Sequence, residues 1–462
     1  MVYTMPEFLE RRYNPQSRTI LSVISLVSYV LTKVAVTVYA GGLVFQQVFG
    51  IKELWGIDFF WIAAIGLVVL TALYTIFGGM KSVLYTSVLQ TPILLLGSLI
   101  ILVLGFKELG GWDEMMRVCG AVTVNDYGDT MTNLIRSNDD ANFPWLGALI
   151  GSAIIGFWYW CTDQFIVQRV LSGKNEMEAR RGTIFGAYLK LLPVFLFLIP
   201  GMIAFALHQK YIGAGGEGFL PMLANGTANA DAAFPTLVAK LLPAGVKGLV
   251  VCGILAALMS SLASLFNSSA MLFTIDFYKR FKPETPEKKL VGIGQIATIV
   301  IVVLGILWIP IMRSVGDVLY TYLQDVQSVL APGIAAAFLL GICWKRTSAQ
   351  GGMWGLISGM VIGLTRLGAK VYYSNAGEVA DSTFKYLFYD MNWLFFCGWM
   401  FLFCIIVVIV VSLATEAPTA EKIQGLVFGT ATKKQKAATR ASWNHWDIIH
   451  TVIILAITAA FY

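Results

Sequence analysis

Eleven apolar segments, each long enough to cross a bilayer, constrain the fold of this chain more than any other feature. A transmembrane helix needs about 20 consecutive apolar residues to cross a ~30 Å hydrocarbon core. Continuous runs of this kind exclude the alternating pattern of an outer-membrane β-barrel. Charged residues are only 13% of the chain, against about 25% in soluble domains. We therefore predict an all-α membrane protein with about eleven transmembrane helices. The predicted spans are 19–48, 57–78, 82–105, 146–171, 181–207, 247–278, 290–312, 315–343, 350–373, 392–414 and 444–462.

The distribution of Lys and Arg between these spans predicts the topology. If the N-terminal stretch ERRYNPQSR faces the cytoplasm, connections on that side hold 20 of the 33 Lys and Arg residues. Cytoplasmic connections of membrane proteins carry such an excess. The connections 106–145 and 208–246 are then external loops, and 415–443 is a cytoplasmic linker. We expect the lipid bilayer as a partner and no nucleic acid, because the +6 charge is spread over separate loops.

The stretch WYWCTDQ, residues 158–164, places aromatic and polar side chains in the middle of a predicted span. Asp163 lies four residues after Tyr159, so the two share a helix face. An aromatic side chain offers a flat face on which a sugar ring can stack. The alternative is an aromatic girdle with a snorkelling Asp163, but girdles lie at span ends. We therefore expect an unwound helix and a ligand site at Tyr159.

Two other spans contain polar side chains that are costly in hydrocarbon and are therefore candidate functional groups. Lys190 must find a partner or lose its charge. Its partner could be Asp163, a carboxylate missing from this chain, or a hydroxylated substrate. Gln324 and Gln327 lie on one side of a span that Pro332-Gly333 should bend. Hydrogen bonding between helices is the alternative role for these glutamines.

A band of small polar residues in the span 247–278 indicates a cation site. Hydroxyl and carbonyl oxygens are what a hard cation such as sodium needs. Ser260 and Ser261, with the carbonyl of Ala257 one turn earlier, could direct three oxygens to one point. Close helix packing is the alternative explanation of small residues in a span. The band consists of Ser260, Ser261, Ser264, Asn267, Ser268 and Ser269.

Interrupted helices with polar groups at the breaks are the sequence indication of a secondary transporter. The sequence has no Walker P-loop, so we do not expect ATP to drive it. It also brings together no nucleophile, metal cluster or paired catalytic carboxylates. We therefore predict a transporter with no catalytic residues, and not an enzyme.

Six stretches, in order along the chain, resemble the sodium/solute symporter family and, within it, the sodium/glucose (galactose) cotransporter branch. The resemblance covers nearly the whole chain and implies a five-plus-five inverted-repeat fold that works by alternating access. Within a single transporter domain, 1–462, it implies a remainder of the first repeat at 19–105, a second repeat at 146–343 and C-terminal accessory helices at 350–462. The stretches are MPEFLERRY, YTIFGGMKSVLYT, WYWCTDQFIVQRVLSGKN, YLKLLPVFLFLIPGMIA, ALMSSLASLFNSSAMLFTIDFYKR and AAAFLLGICWKR.

The resemblance also implies which residues bind the solute. Tyr159 matches the aromatic residue of the inner gate over the sugar, and Trp160 matches its neighbour. Lys190 and Gln324 match sugar hydrogen-bonding positions. Lys33 matches a polar position of the third core helix. By comparison, Asp163 and Gln164 are expected to hold the helix break rather than to bind the ligand directly.

For sodium, the resemblance implies that Ala257, Ser260 and Ser261 form the part of the conserved site contributed by the eighth core helix. Two positions depart from the pattern of relatives with a second sodium site. Ser87 stands where the family usually has Asp, and Ala263 stands where those relatives have a hydroxyl. We therefore expect one sodium ion per sugar.

Two further departures affect the expected site. Gly156 stands where relatives have Asn or Thr, so one substrate hydrogen bond is expected to be absent. In the family, MPEFLE follows the second core helix, so we expect the first core helices to be missing. The broken first helix normally completes both sites. The expectation is then a fragment or mis-started reading of a full transporter, or a chain that cannot transport as it stands.

These observations predict sodium-coupled symport of a glucose- or galactose-like sugar or a polyol, in the plasma or inner membrane. One alternative is symport of another small solute, such as sialic acid, myo-inositol or an organic anion. A second alternative, from a different class, is a truncated sensor or assembly subunit that binds ligand without transporting it.

Overall fold

The computed structural model describes residues 4–223, 226–315, 318–376 and 380–461, without the side chains at 74, 76–84, 86, 89 and 313–315. The beginning of the predicted span 315–343 lies partly outside the described residues. A two-stranded antiparallel hairpin, β1 (Glu53–Leu54) and β2 (Ile57–Asp58), precedes the longest helix. The helices are α1 Met5–Arg12, α2 Pro15–Ser28, α3 Ala35–Phe49, α4 Phe59–Leu109, α5 Trp112–Gly120, α6 Trp145–Phe157, α7 Gln164–Leu171, α8 Glu176–Leu191, α9 Ile199–Gly213, α10 Ala233–Leu241, α11 Ala244–Met271, α12 Lys279–Phe281, α13 Glu287–Val315, α14 Leu319–Cys343, α15 Ala349–Asn375, α16 Thr383–Lys385, α17 Trp393–Ala414, α18 Ala420–Ile423, α19 Lys433–Ala441 and α20 His445–Phe461.

Several α-helices are joined by π-helical turns, which are rare and frequently mark functional sites. The turn Tyr29–Val34 joins α2 to α3, and the turn Trp158–Thr162 follows α6. These two turns meet at the candidate site described below. The other π-helical turns of the described residues are Val194–Leu198, Leu272–Tyr278 and Tyr386–Asp390.

The described helices confirm the predicted all-α membrane class. Within the described residues, eight continuous helical segments, several of which combine these helices with a π-helical turn, are long and apolar enough to cross a membrane, and a ninth span results if the bent pair α19 and α20 is one span. The remaining predicted spans, 57–78 and 350–373, correspond to helical segments outside this set. The apolar part of the first, Phe59–Leu73, is shorter than 18 residues. The second, α15, contains several glycines together with Arg366 and Lys370.

The longest helix, α4, covers both of the predicted spans 57–78 and 82–105. It has 51 residues, and a straight helix of this length would be about 76 Å long, more than twice the thickness of the hydrocarbon core. Phe59 at its start and Ile101 near its end nevertheless pack in one hydrophobic cluster. The predicted spans 57–78 and 82–105 thus correspond to one continuous helix, both ends of which contribute to this cluster.

The helix α14 is the centre of the packing. Of its most apolar 18-residue window, 78% is buried. Its residues contribute to two hydrophobic clusters, one shared with α3, α11 and α13 and the other shared with α1, α6 and α17. A third cluster joins the end of α4 to α5, α9 and α10. The helix is continuous through Pro332-Gly333, although Pro332 has no N–H to donate to the carbonyl oxygen of Ser328.

Glycines bring α14, α15 and α17 into close contact. A Cβ atom built on Gly359 of α15 would lie 2.6 Å from the Cα of Gly333 in α14. A Cβ built on Gly351 would lie 2.8 Å from the carbonyl oxygen of Val408 in α17. Small residues let membrane helices approach in this way because dispersion contacts, rather than hydrophobicity, hold helices together in lipid.

The guanidinium of Arg12 caps the C-terminal end of α14. Arg12 is almost fully buried and donates hydrogen bonds to the carbonyl oxygens of Gly341 at 2.7 Å and of Trp344 and Thr347 at 3.1 Å each. The last carbonyls of a helix have no partner within the helix, and a cation there also opposes the helix dipole favourably. The N-terminal segment is thereby fixed to the central helix.

The loop after α5, which the sequence predicts to be external, is held together by its own side chains. The Asp129 carboxylate accepts hydrogen bonds from the backbone N–H of Ser137 at 2.7 Å and from the side-chain amide of Asn125 at 2.8 Å. The Ser137 N–H, followed by the Asn125 amide, holds the pKa of Asp129 below its usual value. Because the charged form is favoured, this support is present at neutral pH and is lost as the pH falls through the lowered pKa.

We expect Gly359→Ala to destabilise the protein, because the new methyl group would meet the backbone of Gly333 and neither helix can rotate it away. Overpacking of this kind costs about 1–3 kcal/mol. The measurement is the thermal unfolding midpoint of purified protein in detergent, followed by tryptophan fluorescence. Gly368→Ala on the same helix is the control, since a Cβ at Gly368 meets nothing within 4 Å. Equal midpoints for the two variants would contradict the packing described.

Candidate functional site

The predicted break in the WYWCTDQ stretch is present in the structure. The helix α6 ends in the π-helical turn Trp158–Thr162, and Asp163 then adopts an extended backbone with φ −76° and ψ 119°. The Asp163 carboxylate accepts a hydrogen bond from the N–H of Phe165 at 3.1 Å and so caps α7. Aspartate is a favoured residue at this position, because its side chain satisfies a free N–H of the first turn. The local sequence therefore causes the break.

Asp163 forms a buried ion pair with Lys33 from the facing π-helical turn. The hydroxyl of Tyr29 in that turn donates to the same carboxylate at 3.2 Å. Four aromatic rings surround the Lys33 ammonium, whose nitrogen is 4.2 Å from the ring centre of Phe165 and 5.4 Å from that of Tyr159. The rings of Tyr29 and Trp158 lie at 4.8 and 6.0 Å. Aromatic faces attract a cation most strongly where water is excluded.

Tyr159 connects this ion pair to a more exposed pair of side chains. Its ring is half-buried and packs edge-on against Trp160, with ring centres 5.3 Å apart. Trp160 is 51% exposed, and the exposed Lys190 holds its ammonium 5.5 Å from the Trp160 ring centre. The structure thus brings together four predicted solute residues, Lys33, Tyr159, Trp160 and Lys190. The partner of Asp163 is Lys33 and not Lys190, which had been one of the alternatives for Lys190.

The fifth predicted solute residue, Gln324, lies beside Tyr320 on its own helix. Its amide donates to the Tyr320 hydroxyl at 2.9 Å. The neighbouring Asp325 is buried and forms ion pairs with Lys370 and, at 3.7 Å, with Arg366 of α15. Sequence analysis missed this network, although a carboxylate within a span is itself a signal that a partner must exist.

The predicted sodium residues lie on α11 next to α4. The hydroxyl oxygens of Ser260 and Ser87 are 2.6 Å apart, and Ser260 is buried. Ala257 and Ser261 lie one turn before and one residue after Ser260 on the same helix. Ser87, identified from the sequence only as a departure from the family pattern, therefore belongs to this neighbourhood.

The donor set at this place fits a sodium ion. It offers serine hydroxyls and a backbone carbonyl, which are the oxygen donors that hard cations take. Among the described residues, no group of three or more His, Cys, Asp or Glu side chains could hold a metal ion. A weakly bound monovalent cation suits neutral oxygens better than a transition metal does.

Polar contacts that sequence analysis did not identify join α7 to α11, and α2 to the π-helical turn Leu272–Tyr278. Arg169 donates to the Ser264 hydroxyl at 2.6 Å, which joins α7 to α11. Asp276 is fully buried and pairs with Arg18 of α2, and the Thr4 hydroxyl donates to it at 3.1 Å. The available sequence signal was Asp276 itself, a carboxylate at the end of a predicted span, just before Lys279 and Arg280.

Gln164 performs the predicted structural task at the break. Its side-chain oxygen accepts a hydrogen bond from the N–H of Met5 at 2.9 Å, and its side chain is buried. The first residue of α7 is thus tied to the N-terminal helix.

We expect Lys33→Met to destabilise the protein strongly, because it leaves the Asp163 carboxylate buried and without its cation. Breaking a buried pair costs about 3–5 kcal/mol. The double variant Lys33→Met, Asp163→Asn should recover a large part of the loss. Thermal unfolding of the four proteins of this cycle gives the coupling energy.

The control is Arg117→Met, which removes an exposed partner of Glu114 and should leave the unfolding midpoint nearly unchanged, because exposed ion pairs contribute little to stability. If Lys33→Met and Arg117→Met have the same small effect, the Lys33–Asp163 pair does not hold the break.

Comparisons with solved structures support the fold. A sodium-coupled sialic acid symporter, in a substrate-bound outward-open state, matches with a TM-score of 0.66 and 21% sequence identity. The match covers 90% of this chain and 78% of that chain. At this identity the likeness concerns the fold alone, and it confirms the inverted-repeat transporter fold expected from the sequence.

Sequence relatives give the family. The sodium/mannose cotransporter of Bos taurus is 34% identical over 483 residues, covering 100% of this chain and 80% of the relative. The sodium/myo-inositol cotransporter 2 of Homo sapiens is 35% identical, and the sodium/glucose cotransporter 1 of Ovis aries is 37% identical. The chain covers 64% of the length of each of these two proteins. The sequence model of the sodium:solute symporter family matches residues 1–359. The chain therefore belongs to the sodium:solute symporter family, in the branch of the sodium/glucose, mannose and myo-inositol cotransporters, and sodium is the coupling ion of that family.

Proposed function

We propose that this chain carries out sodium-coupled symport of a sugar or polyol by alternating access, in the plasma or inner membrane of its cell. The observation that carries the proposal is the interrupted helix at residues 158–163, which sets Tyr159 beside the buried Lys33–Asp163 pair. Secondary transporters bind solute at such breaks, where polar groups are available at the depth of the membrane.

The side chains around the break suit a polyhydroxylated ring. Tyr159 offers an aromatic face on which C–H groups can stack, and Trp160 forms the adjoining wall. Lys190 supplies a donor that is exposed beside Trp160. Lys33 retains donors for a solute hydroxyl, because an ammonium has three and Asp163 takes one. We assign the side-chain amide of Gln324 as a further hydrogen-bond donor to the solute. It becomes available when its hydrogen bond to the Tyr320 hydroxyl breaks.

The known relatives favour the same class of solute. The names of the three relatives specify mannose, myo-inositol and glucose, which share a ring that carries several hydroxyl groups. A myo-inositol-like polyol is therefore as well supported as a hexose. Because the chain covers only 64% of two of these proteins, the activity is proposed for the protein in its working form.

We assign the sodium site to Ala257, Ser260 and Ser261, and we infer a stoichiometry of one sodium per solute. The Ser87 hydroxyl lies next to that of Ser260. A second sodium site would need a carboxylate at position 87, where this chain has only the serine hydroxyl. One sodium moving through 100 mV supplies about 2.3 kcal/mol, and a tenfold gradient adds about 1.4 kcal/mol. The total, about 3.7 kcal/mol, supports accumulation of roughly several hundredfold.

Sodium binding would favour the outward-open state, and solute would then close the outer gate. A ligand shifts such an equilibrium only by its difference in affinity between the two states. Release to the cytoplasm requires Tyr159 to move, since its ring lies over the pair that holds the helix break.

We expect proteoliposomes containing the protein to take up labelled sugars or myo-inositol only when a sodium gradient is present, with a sodium-to-solute flux ratio near one. The panel should contain mannose, glucose, galactose, myo-inositol and sialic acid. Tyr159→Ala should abolish uptake, because the stacking face is removed. A flux ratio of two would overturn the stoichiometry. Sodium-independent binding without uptake would instead indicate a sensor or assembly subunit.

We expect Ser260→Ala to raise the sodium concentration for half-maximal uptake by about five- to tenfold. The basis is the loss of one oxygen donor worth about 1–1.5 kcal/mol. Cys252→Ala is the control on α11, because its exposed thiol lies about two turns before Ser260, outside the band of small polar residues. The sodium dependence of uptake should be unchanged in that control. Identical sodium curves for both variants would exclude Ser260 as a ligand.

A further inference from the structure

The last helix, α20, rests on α8 through a few polar contacts and leaves a groove beside it. The Tyr188 hydroxyl is 3.0 Å from Nδ1 of His450, and Arg181 lies 3.7 Å from Asp447. The groove has a volume of about 730 Å³, within the range of pockets that bury a small molecule, about 300–1,000 Å³. Its apolar wall is formed by Val170, Leu171, Ile184, Ile448 and Val452.

The groove opens at the predicted cytoplasmic side of the membrane. The loop between α7 and α8 and the end of the linker 415–443 meet there. Trp443 lines the groove, and Trp446 lines a second depression on the other side of α20. Tryptophan is enriched at the level of lipid headgroups. The polar end of the groove therefore lies at headgroup depth and its apolar wall runs into the hydrocarbon.

Two arginines, one that lines the groove and one that stacks on Trp443 of its lining, form no ion pair with a carboxylate in the part of the chain that the structure describes. Arg180 lines the groove and donates to the neutral hydroxyl of Ser442 at 3.2 Å. Its Nε is buried without a hydrogen-bond partner among the described residues. Arg440 stacks over the ring of Trp443, with its guanidinium carbon 4.3 Å from the ring centre.

The carboxylates near the groove do not cancel this charge. Asp447 is buried, faces Arg181 at 3.7 Å and accepts the N–H of Asn444 at 2.9 Å. Glu176 also lines the groove, at the exposed start of α8. The adjoining segments 174–181 and 433–447 carry seven basic residues, against the carboxylates of Glu176, Glu178 and Asp447. The basic residues are Lys174, Arg180, Arg181, Lys433, Lys434, Lys436 and Arg440.

We propose that this groove binds one anionic glycerophospholipid of the cytoplasmic leaflet. Its phosphate would lie between Arg180 and Arg440, and one acyl chain would follow the apolar wall between α8 and α20. Arginine suits this task because its planar fork matches phosphate oxygens. Basic pockets between membrane helices on the cytoplasmic side favour such headgroups. The bound lipid would complete the weak contact between α20 and α8.

The test is native mass spectrometry of the purified protein after incubation with an equimolar mixture of phosphatidylglycerol and phosphatidylcholine. We expect one phosphatidylglycerol to be retained preferentially. Arg180→Gln and Arg440→Gln should each reduce this preference about fivefold, since one basic residue near an anionic surface contributes about 1 kcal/mol. Arg180→Lys should retain part of the preference because it keeps the charge. Lys282→Gln, on another cytoplasmic connection, is the control and should leave the preference unchanged.

A second arm separates the headgroup alone from the whole lipid. Excess glycerol 3-phosphate should not displace phosphatidylglycerol if the acyl chain contributes to binding. Equal retention of both lipids would overturn the proposal. A preference for phosphatidylglycerol that both arginine variants keep would also overturn it, as would a preference that glycerol 3-phosphate abolishes. Retention of a second protein in place of lipid would also overturn it. Thermal unfolding in phosphatidylcholine alone shows whether each variant is folded, so that loss of lipid is not confused with loss of structure.

Discussion

A carboxylate at the break of a membrane helix cannot remain unpaired in hydrocarbon, and the Lys33–Asp163 ion pair meets this constraint. The break frees backbone groups that Asp163 caps, and the same side chain then needs a cation. Lys33 reaches it because a π-helical turn displaces the lysine from the regular course of its helix. The geometry of the candidate solute site therefore depends on one electrostatic contact between two interrupted helices, with Tyr159 packed against it.

The close packing around α14 gives these interrupted helices a fixed reference. Gly333 and Gly359 allow the backbones of α14 and α15 to come into contact, and the Arg12 guanidinium caps the C-terminal end of α14. On the predicted outer side, Asp325 joins α14 to α15, whereas on the inner side Asp276 joins α11 to the N-terminal segment. Buried charges are thus paired at both ends of the bundle. Removing one partner of such a pair would leave the other charge buried and unpaired, which is strongly destabilising.

Much of the fold and part of the candidate site could be predicted from the sequence. A long apolar segment has one outcome in a bilayer, since a single segment can satisfy all of its own backbone groups there only as a helix. The break at WYWCTDQ was also predictable, because aromatic bulk and a capping Asp act locally. The partner of Asp163 was not. Lys33 lies 130 residues away, and Lys190 was an equally reasonable candidate until the packing of α2, α3 and α6 excluded it.

The partners of Asp325 could not be predicted either, because both are on another helix. Ser87 was noted in the sequence only as a departure from the family pattern, and the structure shows that its hydroxyl contacts that of Ser260. By itself the sequence determined the membrane class, the order of the helices, the break and the chemical types at the site. These follow from local preferences and from the cost of polar groups in hydrocarbon. Only the tertiary structure decided which polar groups meet, because that depends on how distant helices pack, and many pairings of the same side chains would satisfy the sequence equally well.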